Sequence, residues 1–75
     1  MTKLPVVSGR EAIRRFEKLG YVVVRQRGSH VRLHHADGSL HRPITIPDHP
    51  TLGRGLFRRL LRDAHVSIAE FVGLR

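Results

Sequence analysis

The chain has no cysteine, few acidic residues and no long apolar run. Without cysteine, neither a disulfide nor a thiolate metal site can reinforce the core, and this composition fits a cytoplasmic protein. The segment from Met1 to Val7 has no apolar stretch of signal-peptide length. Nothing in the sequence approaches the roughly 20 apolar residues that a membrane span requires. We therefore expect a soluble, cytoplasmic protein that does not enter a membrane.

The chain is short and strongly basic. Its 75 residues suffice for one small domain, which we expect to span residues 1–75. Lysine and arginine total 14 against 6 acidic residues, and twelve of the 14 are arginine, whose guanidinium group pairs with phosphate and stacks on bases. A net charge of +8 on so small a domain indicates a polyanionic partner, most often nucleic acid. The alternatives are a charge that serves only solubility and an anionic membrane surface, and an acidic protein partner is compatible with each of these interpretations.

A first helix is predicted between Ser8 and Gly20. Ser8 and Glu11 form a capping-box pattern, in which the serine hydroxyl accepts from the Glu11 amide and the carboxylate reaches back to Ser8. Gly20 supplies the left-handed residue that ends the helix. Between these limits, apolar residues recur at helical spacing at Ala12, Ile13, Phe16 and Leu19.

Three strands are predicted to follow the helix. Residues 21–27 are rich in β-branched side chains, Gly28-Ser29 forms a two-residue turn, and residues 30–34 alternate between polar and apolar. Asp37-Gly38 predicts a second tight turn, of type I′. The third strand, residues 42–47, contains an internal proline and is therefore expected at an edge of the sheet.

A second helix and a short C-terminal helical turn complete the prediction. The last turn opens with another capping-box pattern, Ser67 to Glu70. The order α-β-β-β-α predicts an α+β fold, in which two helices pack on one face of a three-stranded antiparallel sheet. The second helix has an apolar side formed by Leu56, Phe57, Leu60, Leu61 and Ala64.

The two turns also predict the strand register. The first turn pairs Arg27–His30, Arg25–Arg32 and Val24–Leu33. The second turn pairs Val31–Ile44, His30–Thr45 and His34–His41. Both registers place one set of apolar residues on the face that the helices cover, namely Val22, Val24, Val31, Leu33, Ile44 and Ile46.

The other face of the predicted sheet carries Arg25, Arg27, His30 and Arg32, which we call the basic face. Two arginines opposite each other destabilise a sheet unless a phosphate lies between them or both side chains extend into water. An imidazole at His30 can act as general acid or base in RNA cleavage, and the arginines can stabilise the charge of the transition state. An ordinary exposed histidine is the alternative that these residues leave open.

The remaining histidines suggest weaker roles. His49 is expected near the histidine of the basic face, as a second proton carrier, a phosphate contact or simply a loop residue. His34, His35 and His41 are expected at the other end of the sheet, but adjacent strand residues point to opposite faces, so we expect no metal site and no cofactor. His65 is predicted in the last turn of the second helix, where a cation suits the helix dipole.

The second helix carries a stripe of arginines at positions 54, 58 and 62, with Arg59 beside it. Such a stripe is ordinarily a solvated face. The alternative is a docking surface for RNA or for an acidic protein.

Five segments of the chain resemble the HicA toxin family in their order and spacing: residues 3–11, 19–21, 25–30, 46–50 and 55–71. The most specific part is Gly28-Ser29-His30 at the hairpin tip. The resemblance implies a fold like that of the double-stranded RNA-binding domain and a metal-independent ribonuclease that cuts messenger RNA, with His30 as the catalytic histidine. It also implies a HicB-type antitoxin that binds and blocks the toxin in a hetero-oligomer.

Together, the basic face and the resemblance predict the RNA-binding residues Lys3, Arg25, Arg27, Gly28, Ser29, Arg32 and His49. Two positions depart from the family pattern. Leu56 stands where threonine is common, which removes an expected cap from the second helix, and His65 stands where glycine is common, so that helix is expected to end differently. A non-catalytic RNA-binding module of the same fold is the alternative function, and a small DNA-binding protein is a further one.

Overall fold

The computed structural model describes residues 3–75; Met1 and Thr2, with which the predicted domain begins, lie outside the described residues. Helices and strands follow one another in the predicted order. None of the helices within residues 3–75 is long and apolar enough to cross a membrane. The elements are α1 (Gly9–Leu19), β1 (Tyr21–Arg27), β2 (His30–His35), β3 (Ile44–Pro47), α2 (Arg54–Ala64) and α3 (Ile68–Gly73).

The first helix, α1, begins and ends where the sequence predicts. The Ser8 hydroxyl accepts a hydrogen bond from the Glu11 amide at 3.0 Å, and Gly20 ends the helix in the left-handed conformation with φ of 113°. The carboxylate of Glu11 does not complete the predicted capping box, because it accepts hydrogen bonds from Arg14 and Arg15. Those two guanidinium groups lower the pKa of Glu11 to about 2.

The hairpin of β1 and β2 turns at Gly28-Ser29, as predicted. Next to the turn, Arg27 lies opposite His30 and Arg25 lies opposite Arg32. Both of these pairs confirm the predicted register. The turn therefore determines the geometry of the strand ends that flank it.

A bulge at Val24 changes the register farther from the turn. It places Val23, rather than Val24, opposite Leu33. Because side chains alternate along a strand, one extra residue reverses the face that each preceding residue occupies. Tyr21 therefore lies in the core at 2% exposure, whereas Val22 and Val24 are 61% and 50% exposed. The prediction that these two valines are buried is wrong for this reason.

β3 pairs with β2 two residues away from the predicted register. A shift of two residues keeps every side chain on its predicted face, because the alternation has a period of two. The apolar residues of both strands are therefore buried as predicted, although their partners differ. The observed pairs are His30–Pro47, Val31–Ile46, Arg32–Thr45 and Leu33–Ile44.

The cause of this shift is a loop, residues 36–43, in place of the predicted turn at Asp37-Gly38. The Asp37 carboxylate accepts hydrogen bonds from the Ser39 hydroxyl and the Leu40 amide, and these bonds lower the pKa of Asp37. β3 consequently begins at Ile44 instead of residue 42. His41 lies in the loop, so the predicted pairing of His34 with His41 is wrong.

The two long helices cover the same face of the sheet, as predicted. Phe16 of α1 and Phe57 of α2 are 0% and 1% exposed, and they belong to the same buried cluster as Leu33 and Ile44 of the sheet. Burial of apolar surface of this kind is the main stabilising contribution to a domain of this size. The fold is thus the predicted α+β arrangement, α-β-β-β-α with a short C-terminal helix.

The ends of α2 are unusual. Gly53 occupies the N-cap position of the helix and has no side chain to cap it. Leu56 is the third helical residue and therefore does not lie at the capping position. His65 lies just beyond the helix, whereas the sequence predicts it in the last turn. Its φ is 57°, and within residues 3–75 no other residue except glycine has a positive φ. The amides of His65 and Val66 donate to carbonyls of the last helical turn. The helix therefore ends in the left-handed geometry that usually requires glycine.

The last helix, α3, carries the predicted capping box. The Ser67 hydroxyl accepts from the Glu70 amide at 3.0 Å, and the Glu70 carboxylate accepts from the Ser67 amide at 3.1 Å. Arg15 of α1 donates to the Phe71 carbonyl at 3.3 Å, and its guanidinium lies 5.2 Å from the centre of the Phe71 ring. This residue thus joins α3 to α1.

Candidate functional site

The hairpin tip presents Gly28, Ser29 and His30 at one end of the sheet. Gly28 has φ of 57°, a conformation that favours glycine, and an added Cβ would meet no atom within 4 Å. His30, the first residue of β2, is exposed. Because the neighbouring Val31 is buried against the helices, the His30 side chain lies on the opposite, outer face.

Arg25 and Arg32 lie directly opposite each other on this outer face. The guanidinium of Arg32 donates a hydrogen bond to the Thr45 hydroxyl at 2.9 Å. This bond directs Arg32 towards β3, away from the edge strand that carries Arg25 and Arg27, and so reduces the repulsion between the paired arginines. Both arginines belong to the basic face, together with Arg27 and His30.

The arginines of the basic face have no carboxylate partner among the described residues. The carboxylates that do form ion pairs within residues 3–75 lie elsewhere, on α1, on α2 or in the segment after β3. Three positive charges of the sheet therefore remain available to an anion from outside the molecule. The ion pairs are Arg10–Asp48, Arg14–Glu11, Arg15–Glu11 and Arg62–Asp63.

His49, in the segment after β3, lies against the hairpin tip. Its Nε2 is 3.4 Å from Oγ of Ser29, the residue that precedes His30. The Asp48 amide donates to the Ser29 carbonyl at 2.6 Å, and the Gly9 amide donates to the His49 carbonyl at 2.9 Å. Backbone hydrogen bonds on both sides thus fix the segment that carries this imidazole next to the hairpin tip.

The predicted site residues fall into two groups. The hairpin tip and the basic face lie on β1, β2 and the turn between them, and His49 contacts Ser29 of that turn. Lys3 is exposed in the segment before α1 and is not part of the sheet.

Sequence reasoning missed two contacts, one on the basic face and one next to His49. Thr45 was missed because the predicted register placed it opposite His30 instead of Arg32. The ion pair of Arg10 with Asp48, at 3.2 Å, joins residues that are distant in the chain and has no local signal.

A second group of histidines lies at the other end of the sheet. The rings of His35 and His41 have centroids 4.3 Å apart, and both lie beside Tyr21. His35 Nε2 is 3.1 Å from the Leu19 carbonyl, and its Nδ1 accepts from the Asp37 amide, so both ring nitrogens have backbone partners. Within residues 3–75, no group of three or more potential ligands among histidine, aspartate and glutamate could hold a metal ion.

The arginines of α2 form a separate basic surface. Arg54, Arg58 and Arg59 are exposed, whereas the apolar side of α2 is buried against the sheet. Because α2 covers the inner face of the sheet, this stripe does not join the basic face.

Two comparisons with known proteins bear on the family of the chain. No similarity to a curated protein was found. A family model described as the HicA toxin of bacterial toxin–antitoxin systems matches residues 9–66. The match runs from the first residue of α1 to just beyond α2, and it includes the hairpin tip, the basic face and His49. The chain therefore belongs to the HicA toxin family of bacterial toxin–antitoxin systems.

Proposed function

We propose that this toxin is a metal-independent endoribonuclease that cuts messenger RNA, with His30 as general acid or base, and that a HicB-type antitoxin inhibits it. One observation carries the proposal. His30 is an exposed imidazole at the tip of a hairpin whose outer face holds three arginines, and these arginines have no carboxylate partner within residues 3–75. Such a surface binds the phosphates of RNA and brings a proton-transfer group to them.

The reaction uses the 2′-hydroxyl of the RNA as nucleophile. The 2′-oxygen attacks the adjacent phosphorus while the bond from phosphorus to the 5′-oxygen breaks, which leaves a 2′,3′-cyclic phosphate and a 5′-hydroxyl. A base removes the proton of the 2′-hydroxyl, and an acid gives a proton to the departing 5′-oxygen. An imidazole can serve in either step, because it exchanges a proton readily between pH 5 and 8.

The guanidinium groups of Arg25, Arg27 and Arg32 hold the phosphates and stabilise the negative charge that develops on the phosphoryl oxygens. Gly28 has no side chain to obstruct the backbone of the RNA, and the Ser29 hydroxyl is a further hydrogen-bond donor. Lys3 adds a phosphate contact outside the sheet.

His49 is the candidate for the second proton transfer. Its Nε2 lies 3.4 Å from Oγ of Ser29, the residue that precedes His30. A phosphate contact is the other role that this position allows. An RNA whose scissile 5′-oxygen is replaced by sulfur separates the two roles, because a thiolate leaves without an acid. If His49 is the acid, His49→Ala cuts normal RNA slowly and the sulfur-substituted RNA at the parent's rate.

The catalytic role of His30 is tested by comparing His30→Ala with His34→Ala on a labelled messenger RNA. His34 is a matched control because it is an exposed histidine of the same strand and face, four residues from the hairpin tip. We expect His30→Ala to fold and to bind RNA like the parent but to lose cleavage by a factor of about 100 or more. His34→Ala is expected to cut at the parent's rate.

Equal cleavage by His30→Ala and the parent would contradict the catalytic role. A parent protein that binds RNA without cutting it would instead support the non-catalytic RNA-binding module. An unfolded His30→Ala variant would assign a structural role to this side chain, which its exposed position does not predict.

A toxin of this family has a cognate antitoxin, and we propose a HicB-type protein that covers the basic face. The positive charge of the toxin favours an acidic partner and accelerates association at low salt. Protection of His30 from an imidazole-modifying reagent in the complex tests this occlusion. A tight complex in which His30 reacts at the free rate and RNA still binds would exclude it.

A further inference from the structure

Exposed apolar residues are concentrated on one strand of this small domain. Val22, Val23 and Val24 follow one another in β1 and are 61%, 38% and 50% exposed. The other large apolar residues that are similarly exposed, Val6 and Leu40, stand singly and outside the sheet. Because Val22 and Val23 point to opposite faces of β1, the three valines share the strand and not one face. Single exposed apolar residues are ordinary, whereas several on one strand make that strand a candidate interaction surface.

The same strand is an edge of the sheet. The strand order is β1-β2-β3, so within residues 3–75 no strand neighbours one side of β1. β1 has seven residues, against four in β3. An edge strand presents unpaired N–H and C=O groups that can form hydrogen bonds with an extended segment of another chain. β1 thus combines a free backbone edge with apolar side chains.

From this combination we propose that the edge of β1 binds an acidic β-strand of the antitoxin. The inference rests on the antitoxin partner that family membership implies, and it does not depend on RNA cleavage. The partner strand extends the sheet as a fourth strand. Its apolar residues pack on the exposed valines, and its carboxylates pair with Arg25 and Arg27.

The positive charge of β1 favours an acidic strand of the antitoxin over a second copy of the toxin. Arg25 and Arg27 lie on β1 itself, and neither forms an ion pair within residues 3–75. Positive charges and a bulge are devices by which proteins prevent edge strands from pairing with their own copies. Two copies would each bring a net charge of +8 to the interface. An acidic strand converts the same arginines from a barrier into an attraction.

The proposal predicts the character of the partner strand. It has apolar residues beside Val22 and Val24, and acidic residues at alternate positions beside Arg25 and Arg27. Alternation is required because Arg25 and Arg27 share one face of β1. Pairing of this kind removes two arginines from the surface offered to RNA.

The experiment measures binding of the purified full-length antitoxin to the double variant Val22→Lys/Val24→Lys. Val6→Lys is the matched control, because Val6 is 83% exposed and lies outside the sheet. We expect the double variant to raise the Kd by about tenfold or more, which corresponds to about 1.4 kcal/mol or more. Val6→Lys is expected to stay within twofold of the parent. Hydrogen exchange of residues 21–27 is expected to slow in the parent complex.

Equal affinities of the double variant and the parent, with no added protection of β1, would overturn the proposal. Self-association of the parent that the double variant abolishes would assign the edge to a second copy instead. Circular dichroism and thermal unfolding verify that the double variant is folded, which its exposed positions predict. A parent that fails to cut RNA would contradict the proposed function but leave this binding test intact.

Discussion

Gly9, the first residue of α1, lies directly against the carbonyl oxygen of Pro47, the last residue of β3, and a Cβ at position 9 would overlap that oxygen. The Gly9 amide also donates to the His49 carbonyl. The close approach therefore requires a residue without a side chain. It joins the start of α1 to the segment that carries His49.

We accordingly expect Gly9→Ala to lower the free energy of unfolding by about 1–3 kcal/mol, because the new methyl group forces α1 away from β3. Gly55→Ala is the control, since its Cβ meets no atom within 4 Å and lies in α2. Alanine there is expected to stabilise the protein by about 0.5–1 kcal/mol, the usual gain over glycine in a helix. Urea unfolding measures both values. A Gly9→Ala variant as stable as the parent would contradict this account of the contact.

His65→Gly is expected to raise the free energy of unfolding by up to about 1 kcal/mol. His65 has φ of 57°, which costs a residue with a Cβ more than it costs glycine. His65→Ala retains the Cβ and therefore separates relief of backbone strain from loss of the imidazole. Thermal unfolding of the two variants checks the prediction, which fails if alanine stabilises the protein as much as glycine does.

Tyr21 should make stability depend on alkaline pH. Burial, together with the nearby Asp63, raises the pKa of Tyr21 from 10.0 to about 12. Because the folded state holds the phenolic proton more tightly, this contribution to stability is fully present below pH 10 and is lost as the pH rises through about 12. The chain has one tyrosine and no tryptophan, so ultraviolet absorbance reports the titration of this residue alone. A folded protein whose tyrosine titrates like free tyrosine would refute the prediction.

Cleavage of RNA should continue in the presence of a metal chelator and should yield ends with a 2′,3′-cyclic phosphate or its hydrolysed form. The reason is that proton transfer by imidazole supplies the chemistry that we propose for His30. DNA of the same sequence is the control, because it binds through its phosphates but has no 2′-hydroxyl to attack. Mass spectrometry identifies the ends. Activity that a chelator abolishes and added metal restores, or cleavage of DNA, would disprove the mechanism.

The sequence predicts the features that depend on neighbouring residues. Ser8, Gly20 and the pair Ser67–Glu70 mark helix ends because each cap acts within a few residues, and the pairing of Arg25 with Arg32 follows from an adjacent turn. The basic face could therefore be predicted. The caps and the first turn needed no knowledge of distant contacts.

The features that the sequence does not predict depend on contacts between distant parts of the chain. The Tyr21 hydroxyl donates to the Arg42 carbonyl at 2.8 Å, and its ring packs on Phe16 with centroids 5.6 Å apart. Burial of this ring favours Tyr21 over Val22 in the core, which no pattern within β1 reveals. The sequence likewise does not predict the contact of Arg32 with Thr45, because this contact depends on the length of the loop before β3.

The bulge at Val24 also divides β1 into two halves, in which odd-numbered side chains point to opposite faces of the sheet. From Arg25 onwards, odd-numbered residues point outward, whereas Tyr21 and Val23 lie on the side of the helices. Deleting one valine would remove the bulge and restore regular alternation, with Tyr21 still on the side of the helices and Arg25 still facing outward. A strand of the same seven residues without the bulge would instead turn the Tyr21 ring out to solvent. The extra residue therefore allows seven residues to keep the tyrosine in the core and both arginines on the outer face.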